Sequence, residues 1–328
     1  MNDLNSRTFI IIATFNGAKF LTMQLDSLYE QNERQWRLLI RDDGSTDDTL
    51  RIIKDYSVNG TTIQLLDREG ADHASTISNF GALMNSAYKA GAEYVFCCDQ
   101  DDVWEPNKIE LMLARLKVIE GKNKAPSLVH HDLAVVDESL APVADSFVEM
   151  MQLQPSDEHN PQRLISRNEV TGCAMACNRA LLEIALPISE DAVMHDWWLA
   201  LCAGYFGRLA FIPEKLVKYR QHGANTIGAK SFWHGLNPFT NWVAGWRRGD
   251  EEFISTVKQA KAFRAAMSDR LESNPEACAT LDLYAGLLAA TRWQRLKALR
   301  KFNLWRSHWF LNVVLVMRML LLPRDARF

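Results

Sequence analysis

Residues 97–102 read CCDQDD, directly after the apolar run EYVF and directly before VWEPNK. Carboxylates this close together repel one another, and burying them costs free energy unless a positive charge compensates. Asp99 and Asp101 are separated by one residue, and a cation that carries phosphate ligands commonly needs only one or two protein carboxylates. Mg²⁺ or Mn²⁺ bridging a pyrophosphate would supply the missing charge. The alternative is a solvated acidic loop, which the tryptophan and the proline that follow disfavour.

A second acidic cluster, RDDGSTDDT, covers residues 41–49. Asp42 and Asp43 follow an apolar run, and at the end of a buried strand their carboxylates can accept hydrogen bonds from a base or a ribose. The alternative is a turn that caps the next helix, with Gly44 at positive φ and one residue of the STD stretch as the cap. The sequence leaves both interpretations open.

Alternating elements in the first third of the chain must position these clusters. Four apolar, β-branched stretches alternate with helix-like stretches, which indicates a parallel sheet covered by helices on both faces. Ligands of such sheets bind beyond the carboxyl ends of the strands, so the clusters ATFNG, RDDGSTDDT and CCDQDD should converge at one edge. The predicted strands are TFIIIAT, WRLLI, TTIQLL and EYVFCC, and the predicted helices cover residues 18–31, 46–56, 78–90 and 108–119.

Length and composition limit the class of protein. The 328 residues are 48% hydrophobic, enough for one large domain or for one domain with an appendage. None of the six cysteines forms a C-x-x-C pair, so we expect reduced thiols rather than structural zinc or disulfides. The start has no basic flank before a long apolar run, and we expect a cytoplasmic protein. The net charge of −3 combines +8 over residues 291–328 with −11 elsewhere, which predicts two regions with different partners.

The motifs ATFNG, RDDGSTDDT, DQDDVW, TGC, HDWW and YRQHG occur in the order and approximate spacing of glycosyltransferase family 2. The chain resembles these inverting enzymes over roughly residues 7–228, and HDWWLAL and YRQHGANTIGA resemble the bacterial rhamnosyltransferase-type members that build polysaccharide and O-antigen chains. The resemblance implies an α/β fold of the GT-A type over residues 1–228, Rossmann-like, with a mainly parallel central sheet flanked by helices. Residues 229–328 would form a helical, tryptophan-rich, basic C-terminal extension.

The resemblance also implies which residues bind the donor. Thr14, Asn16, Asp43, Asp99 and Gln100 would contact the nucleotide sugar, with Asp99 near its ribose or the metal.

The resemblance further implies which residues bind the metal ion and which residue acts as the catalytic base. Asp101 would be the principal ligand of Mg²⁺ or Mn²⁺, assisted by Asp102, and His222 would close the metal and phosphate site. Asp196 matches the family's catalytic base, which is usually written as a Glu-Asp pair, whereas here His195 precedes it. Taken alone, Asp196 could simply cap a helix and His222 could be an ordinary loop histidine. Their joint occurrence with the carboxylate cluster favours the functional interpretation.

Three further residues are candidates for the acceptor side: Thr171, Gly172 and Trp197. The stretch TGCAMACNRALL places small residues before a helix, so that the backbone can approach a ligand closely. A tight packing corner explains the same residues equally well.

The sequence therefore predicts a metal-dependent glycosyltransferase that moves a sugar from a nucleotide-sugar donor to a glycan or lipid-linked glycan acceptor. The resemblance alone suggests dTDP-L-rhamnose as the first donor to consider. A sugar nucleotidyltransferase also uses an α/β sheet with paired carboxylates, but ATFNGAKF lacks a Gly-rich phosphate loop with an Arg. A non-catalytic nucleotide-sugar-binding assembly subunit is a third interpretation. We expect no nucleic-acid partner.

The C-terminal region combines basic and aromatic residues. HWFLNVVLVMRMLLLPRDARF is apolar but too short to span a bilayer, and RWQRLKALRKFNLWRSHW carries Trp293 and Trp305 among its basic residues. This composition suits the interface of an anionic membrane, where a lipid-linked acceptor is found. The alternative is a helical hairpin packed on the domain or on a second copy of the chain in a homo-oligomer.

Overall fold

The computed structural model describes residues 6–58, 63–67, 74–155, 161–223, 242–302, 304–305 and 309–322. These residues divide into two compact units. The first unit takes its residues from Met1–His159, Glu169–Ile188 and Met194–Asn225, and the second from Asn160–Asn168, Ser189–Val193 and Thr226–Phe328. The predicted boundary between residues 228 and 229, and the helical start predicted after it, lie outside the described residues.

A nine-stranded sheet forms the centre of the first unit. Its order is β3-β2-β1-β4-β8-β6-β9-β5, with β7 paired to β6. The strands are β1 (Thr8–Thr14), β2 (Arg37–Asp42), β3 (Ile63–Leu66), β4 (Tyr94–Cys98), β5 (Val103–Trp104), β6 (Ser127–Val136), β7 (Pro142–Ala144), β8 (Met175–Asn178) and β9 (Arg208–Arg220).

The helices of the first unit connect these strands and cover the sheet. They are α1 (Ala18–Tyr29), α2 (Thr49–Val58), α3 (Thr76–Lys89), α4 (Lys108–Glu120), α5 (Phe147–Met150), α7 (Arg179–Ala185) and α8 (His195–Phe206), while α6 (Pro161–Leu164) belongs to the second unit. The four helices predicted in the first third of the chain are present with ends shifted by a few residues, and so are the four strands as far as the described residues extend.

The two halves of the sheet differ in strand direction. β1 pairs in parallel with β2 and with β4, and β2 with β3, so this half has the predicted arrangement. β8 runs antiparallel to both β4 and β6, and β5 runs antiparallel to β9. The carboxyl ends of β1, β2 and β4 therefore lie side by side at one edge, as a continuous parallel half requires.

Burial on both faces explains why the parallel strands have nearly continuous apolar sequences. Every residue of β4 is buried, and so is every residue of β1 except Ala13, which is partly exposed. Every residue of β6 is also buried except Ala134, which is partly exposed. His130 and His131 are both buried, so alternation along the strand does not place one inside and the other outside. All six cysteines are free thiols.

The second unit is helical. Besides α6 it contains α9 (Trp242–Ala266), α10 (Ser268–Leu271), α11 (Pro275–Ala285), α12 (Arg292–Lys301) and α13 (Trp309–Leu321). The helices α12 and α13 share a small apolar core of Leu299, Leu315 and Met319. Arg318 pairs with Asp250 of α9 at 2.7 Å. Within the described part of the chain, no helix is both long and apolar enough to cross a bilayer.

Candidate active site

The first element of the site is the edge where β1 and β2 end together. Thr14 and Asp42 are paired in the register of these strands. The Thr14 hydroxyl donates a hydrogen bond to Asp42 Oδ1 at 2.9 Å, and Thr14 is only 1% exposed. Thr14 therefore acts on the loop through Asp42 rather than through an exposed hydroxyl.

The loop after β2 is held by Asp42, the last residue of that strand. Asp42 Oδ2 accepts hydrogen bonds from the backbone N–H groups of Gly44 at 3.0 Å and Ser45 at 2.8 Å, and Gly44 has φ of 87°. The turn with Gly44 at positive φ, one of the two interpretations of this cluster, is therefore present, and Asp42 accepts its backbone hydrogen bonds. Asp43, 8% exposed, accepts a hydrogen bond from the N–H of Ala74 at 3.0 Å.

Two amide side chains lock the three loops together. Asn16, at φ of 46°, accepts a hydrogen bond from the N–H of Thr46 at 2.8 Å and thereby joins the loops after β1 and β2. Gln100 donates to the carbonyl of Phe15 and accepts from its N–H, both at 3.0 Å, which joins the loops after β1 and β4. The residues predicted to bind the nucleotide therefore lie on one connected edge of the sheet.

The pairing of β5 with β9 carries the end of β9 to the carboxylate loop, residues 99–102. Val103 is paired with Lys218, two residues before Arg220. The N–H of Arg220 donates to Asp102 Oδ1 at 3.0 Å. Beyond it, His222 Nε2 lies 2.7 Å from Asp101 Oδ2, and the two side chains are 10% and 14% exposed. The structure thus brings together the two predicted metal ligands from positions 121 residues apart.

Burial and mutual repulsion make the carboxylate loop costly to charge. Burial, with the nearby charges of Asp101 and Asp196, raises the pKa of Asp99 to about 7. Burial also raises the pKa of Asp102 well above its ordinary value, since this side chain is fully buried. A positive group partly compensates: Arg220 Nε donates to the carbonyl of Asp101 at 2.7 Å.

Two sets of atoms at this loop could be considered for a cation. Ligand atoms of Asp99, Asp102 and Cys173 all lie within 4.8 Å of one another. Burial raises the pKa of the Cys173 thiol well above its ordinary value, and a neutral thiol is a poor ligand for the oxygen-seeking ions Mg²⁺ and Mn²⁺. The pair of Asp101 and His222 is less buried than Asp102 and Cys173. It offers a carboxylate oxygen and an imidazole nitrogen, which fits a cation that keeps positions for phosphate and water.

Asp196 lies in the first turn of α8, near the carboxylate loop. Its Oδ1 accepts a hydrogen bond from the N–H of Trp197 at 2.5 Å, and the side chain is 5% exposed. The turn Gly172–Ala174 packs against it, because a Cβ at Gly172 would lie 3.6 Å from Asp196 Oδ2 and 2.9 Å from the Nε2 of His195. Gly172 is therefore glycine for lack of room, and the predicted base and the acceptor-side residues Gly172 and Trp197 are neighbours. Thr171, directly before that turn, is partly exposed.

Sequence reasoning missed two buried cations beside this site, Arg220 and Lys108. Arg220 is 1% exposed and Lys108 is fully buried. Both belong to quoted motifs, YRQHG and VWEPNK. Their burial had no local signal, because a basic residue beside a helix or strand end is usually exposed.

Comparison with known proteins gives a consistent result. The model of glycosyl transferase family 2 matches residues 9–183, more than half of the chain. An uncharacterized glycosyltransferase of Nostoc is 25% identical over 229 residues, which are 66% of this chain and 65%, just under two thirds, of that protein. The dTDP-rhamnosyl transferase RfbG of Shigella flexneri is 25% identical over 230 residues, 66% of this chain and 74% of RfbG.

A solved structure supports the same fold. TarS of S. aureus, in complex with UDP-GlcNAc, matches with a TM-score of 0.52 at 15% identity, over 88% of this chain and 83% of that chain. The likeness confirms the predicted GT-A fold.

Proposed function

The chain belongs to glycosyl transferase family 2, and from this premise we propose that it transfers a sugar from a nucleotide-sugar donor to a hydroxyl group of a glycan or lipid-linked glycan. One observation carries the proposal most directly. The Asp101 carboxylate and the His222 imidazole lie 2.7 Å apart, and Asp101 shares its loop with Asp99. A carboxylate oxygen of Asp99 lies within 4.8 Å of the Sγ of Cys173 in the turn Gly172–Ala174, and Gly172 of this turn packs on Asp196. Groups for holding a diphosphate and for accepting a proton are thus gathered at the carboxyl edge of the parallel strands.

The nucleoside would bind at the loops after β1, β2 and β4. Asp43 and Asp99 are the carboxylates for the base and the ribose. Thr14, Asn16 and Gln100 support them by fixing the shape of these loops, since the side chain of each is hydrogen-bonded between or within the loops.

The Asp101 and His222 pair would hold Mg²⁺ or Mn²⁺. When bound, this ion would balance the negative charge that gathers on the departing nucleoside diphosphate. The direct contact between the two side chains would be replaced by contacts to the ion, while Arg220 keeps the carbonyl of Asp101 in place.

Asp196 would be the general base. Its carboxylate takes the proton of the acceptor hydroxyl while that oxygen forms a bond to the anomeric carbon, and the bond from this carbon to the diphosphate breaks with its electron pair on the leaving group. Attack opposite the leaving group inverts the anomeric centre. The N-terminal end of α8 favours the charged carboxylate that this role requires.

The donor to test first is dTDP-L-rhamnose, because the relative from Shigella flexneri is named as a dTDP-rhamnosyl transferase. The role in polysaccharide or O-antigen synthesis is part of the same proposal and rests on the resemblance carried by HDWWLAL and YRQHGANTIGA.

Exposed side chains of α12 and its C-terminal flank support contact with an anionic membrane. Trp293 and Trp305 are 77% and 44% exposed, and four exposed basic residues lie on α12: Arg292, Lys297, Arg300 and Lys301. Tryptophan and basic residues together favour the headgroup region of anionic lipids, where a lipid-linked acceptor would be presented. A location on the inner face of the cell membrane follows as part of this proposal.

A panel of nucleotide sugars with Mn²⁺, read out as released nucleoside diphosphate, tests the proposed function. We expect turnover with one donor class, and we expect Asp101→Ala to abolish Mn²⁺-dependent donor binding in calorimetry, because the change removes the carboxylate that contacts His222 and the other carboxylates of the loop cannot hold the ion in the same place. Asp145→Ala is the matched control, since this carboxylate is 87% exposed. Donor binding without turnover would favour an assembly subunit, and wild-type affinity in Asp101→Ala would remove this residue from the metal site.

A further inference from the structure

The ring of Phe20, in the first turn of α1, packs against two side chains at the end of β9. The centroid of the His222 ring lies 4.9 Å from that of Phe20, and the two ring planes are inclined by 35°. The central guanidinium carbon of Arg220 lies 4.6 Å from the centroid of the same Phe20 ring. Contacts of both kinds are favourable at these separations. The proposed mechanism gives Phe20 no role.

The start of α1, which carries Phe20, is tied to the neighbouring loops. The N–H of Gly17 donates a hydrogen bond to Thr49 Oγ1 at 2.8 Å, and the N–H of Ala18 donates to Asp47 Oδ2 at 3.1 Å. The N–H of Phe20 itself donates to the carbonyl of Gly17 at 3.0 Å. The position of the Phe20 ring is therefore set from the same loops at which the nucleoside is proposed to bind.

The Arg220 side chain is fixed from three directions. It is 1% exposed, and its Nε donates to the carbonyl of Asp101 at 2.7 Å. Its Nη1 donates to the carbonyl of Glu138 at 2.5 Å, and its Nη2 donates to the Sδ of Met23 on α1 at 3.2 Å. Because these contacts hold the guanidinium group in one orientation, Phe20 packs against a rigid neighbour.

The His222 ring needs a neighbour that fixes its orientation. The residue lies beyond Arg220, the last residue of β9, and its side chain turns about two single bonds. The contact of Nε2 with Asp101 Oδ2 at 2.7 Å fixes one ring atom but not the plane of the ring. Packing against Phe20 restricts that plane. A ligand that its neighbours already hold in place loses less conformational freedom when an ion binds.

We propose that Phe20 is a positioning residue for the metal site: its ring, carried by the start of α1 and packed on Arg220, holds the His222 imidazole in the orientation in which Nε2 faces Asp101. One aromatic side chain thereby joins the loops proposed for the nucleoside to the pair proposed for the ion. The consequence for Mn²⁺ rests on the proposed function, whereas the packing of Phe20 on His222 does not.

The affinity of the full chain for Mn²⁺ alone, measured by electron paramagnetic resonance of the free ion, tests this role. Phe20→Leu keeps an apolar side chain but removes the ring, and it should weaken Mn²⁺ binding by about tenfold. Phe20→Tyr keeps the ring and should bind Mn²⁺ about as well as the wild type. In a His222→Gln background, Phe20→Leu should cause no further loss, because its effect passes through the imidazole.

Tyr29→Leu is the matched control, because Tyr29 is an aromatic residue of the same helix that packs on Trp36 and Tyr56, with centroids 5.6 Å and 5.8 Å away. It should leave Mn²⁺ affinity unchanged even where it lowers Tm. Wild-type Mn²⁺ affinity in Phe20→Leu would overturn the proposal. An equal loss of affinity in Tyr29→Leu, or a loss in Phe20→Leu that persists without His222, would also overturn it.

A double-mutant cycle on thermal stability in EDTA tests the packing without metal or substrate. Phe20→Leu and His222→Gln each remove the same contact, so the two changes together should lower Tm less than the sum of the single losses, by about 1 °C or more. Tyr29→Leu combined with His222→Gln should give additive losses. Additive losses for Phe20→Leu as well would overturn the proposal. If the wild-type protein binds no Mn²⁺, the metal site of the proposed function fails, and this cycle still decides whether Phe20 holds His222.

Discussion

At the scale of single residues, His195 shows how this chain departs from the family pattern that it resembles. The ring stacks on Phe80 with centroids 4.1 Å apart, and the residue is 3% exposed. Neither ring nitrogen has a hydrogen-bond partner in the described part of the chain. Burial lowers the pKa of His195 to about 3, so this ring is neutral where the pattern has a glutamate. Asp196 therefore has a neutral neighbour instead of a second carboxylate.

This neutral histidine predicts a pH dependence of stability. The unfolded chain takes up a proton on His195 near the ordinary value of 6.5, and the folded protein does so only near 3, so the unfolding free energy falls as the pH drops through 6.5. When the pH is lowered from about 7.5 to about 5, the unfolding free energy of His195→Gln should therefore fall by about 2 kcal/mol less than that of the wild type. Denaturant titrations at several pH values measure the two slopes. Equal slopes would mean that this histidine is protonated in the folded protein.

At the scale of elements, close contacts between the loops determine the structure of the sheet edge at which the donor is proposed to bind. Gly17 has an ordinary backbone with φ of −98°, but a Cβ there would lie 2.2 Å from Gln100 Oε1. The glycine is required because the Gln100 amide must reach the backbone of Phe15. The joining of the loops after β1 and β4 therefore needs a residue without a side chain at position 17.

Gly17→Ala should consequently displace the Gln100 side chain and separate the two loops. We expect a loss of about 1–3 kcal/mol in unfolding free energy and weaker donor binding, because a methyl group is forced into a filled space. Gly81→Ala is the control, since a Cβ at this position in α3 meets nothing within 4 Å. Similar stability and affinity in the two variants would show that the loops tolerate the added methyl group.

The predictability of each element follows from its surroundings. β1, β2 and β4 were predictable because burial on both faces gives unbroken apolar runs. β9 was not, since exposed Pro213, Glu214 and Lys215 interrupt it. The register with β6 shifts at this point, between Ile212 and Lys215, and such an irregularity accommodates a proline that a regular central strand would exclude. The position of His222 beside Asp101 depends on this strand.

The candidate site, too, was predictable in part. The motifs fix which polar residues follow the strands, and the sheet order then brings them to one edge. Asp42 and Asp43 are chemically alike, however, and only the three-dimensional turn shows that Asp42 accepts the backbone hydrogen bonds of its own loop. The same holds for Lys108, whose burial depends on the packing of α4 and the Gly172–Ala174 turn.

At the scale of the whole molecule, the basic segment of residues 291–328 belongs to the helical second unit. Some of the basic residues in this unit are buried and others are exposed. Arg295 is buried and donates hydrogen bonds to the carbonyls of Leu287 at 2.8 Å and Leu322 at 2.5 Å. Leu299 contributes to the core of this unit, whereas Trp293 is exposed. Packing within the chain therefore accounts for part of the C-terminal region and leaves an exposed aromatic and basic face on α12.

That face predicts binding to anionic liposomes. Replacing Trp293 by Ser, and Lys297 and Arg300 by Gln, should weaken co-sedimentation of the full chain with anionic liposomes, and binding of the wild type should fall with added salt. Lys261→Gln, an exposed basic position on α9, serves as the control. Unchanged liposome binding together with an altered oligomeric state would assign this face to a second copy of the chain.

The central claim is that Asp196 takes the proton of the acceptor hydroxyl. Asp196→Asn keeps an oxygen to accept the hydrogen bond from the N–H of Trp197, but an amide cannot act as a base. The transfer rate should therefore fall by about 10²–10⁴-fold while melting temperature, donor affinity and Mn²⁺ affinity stay close to those of the wild type. These quantities are best measured on one preparation with the donor that gives turnover. A transfer rate equal to that of the wild type would contradict the account, because the reaction would then proceed without the base assigned to it.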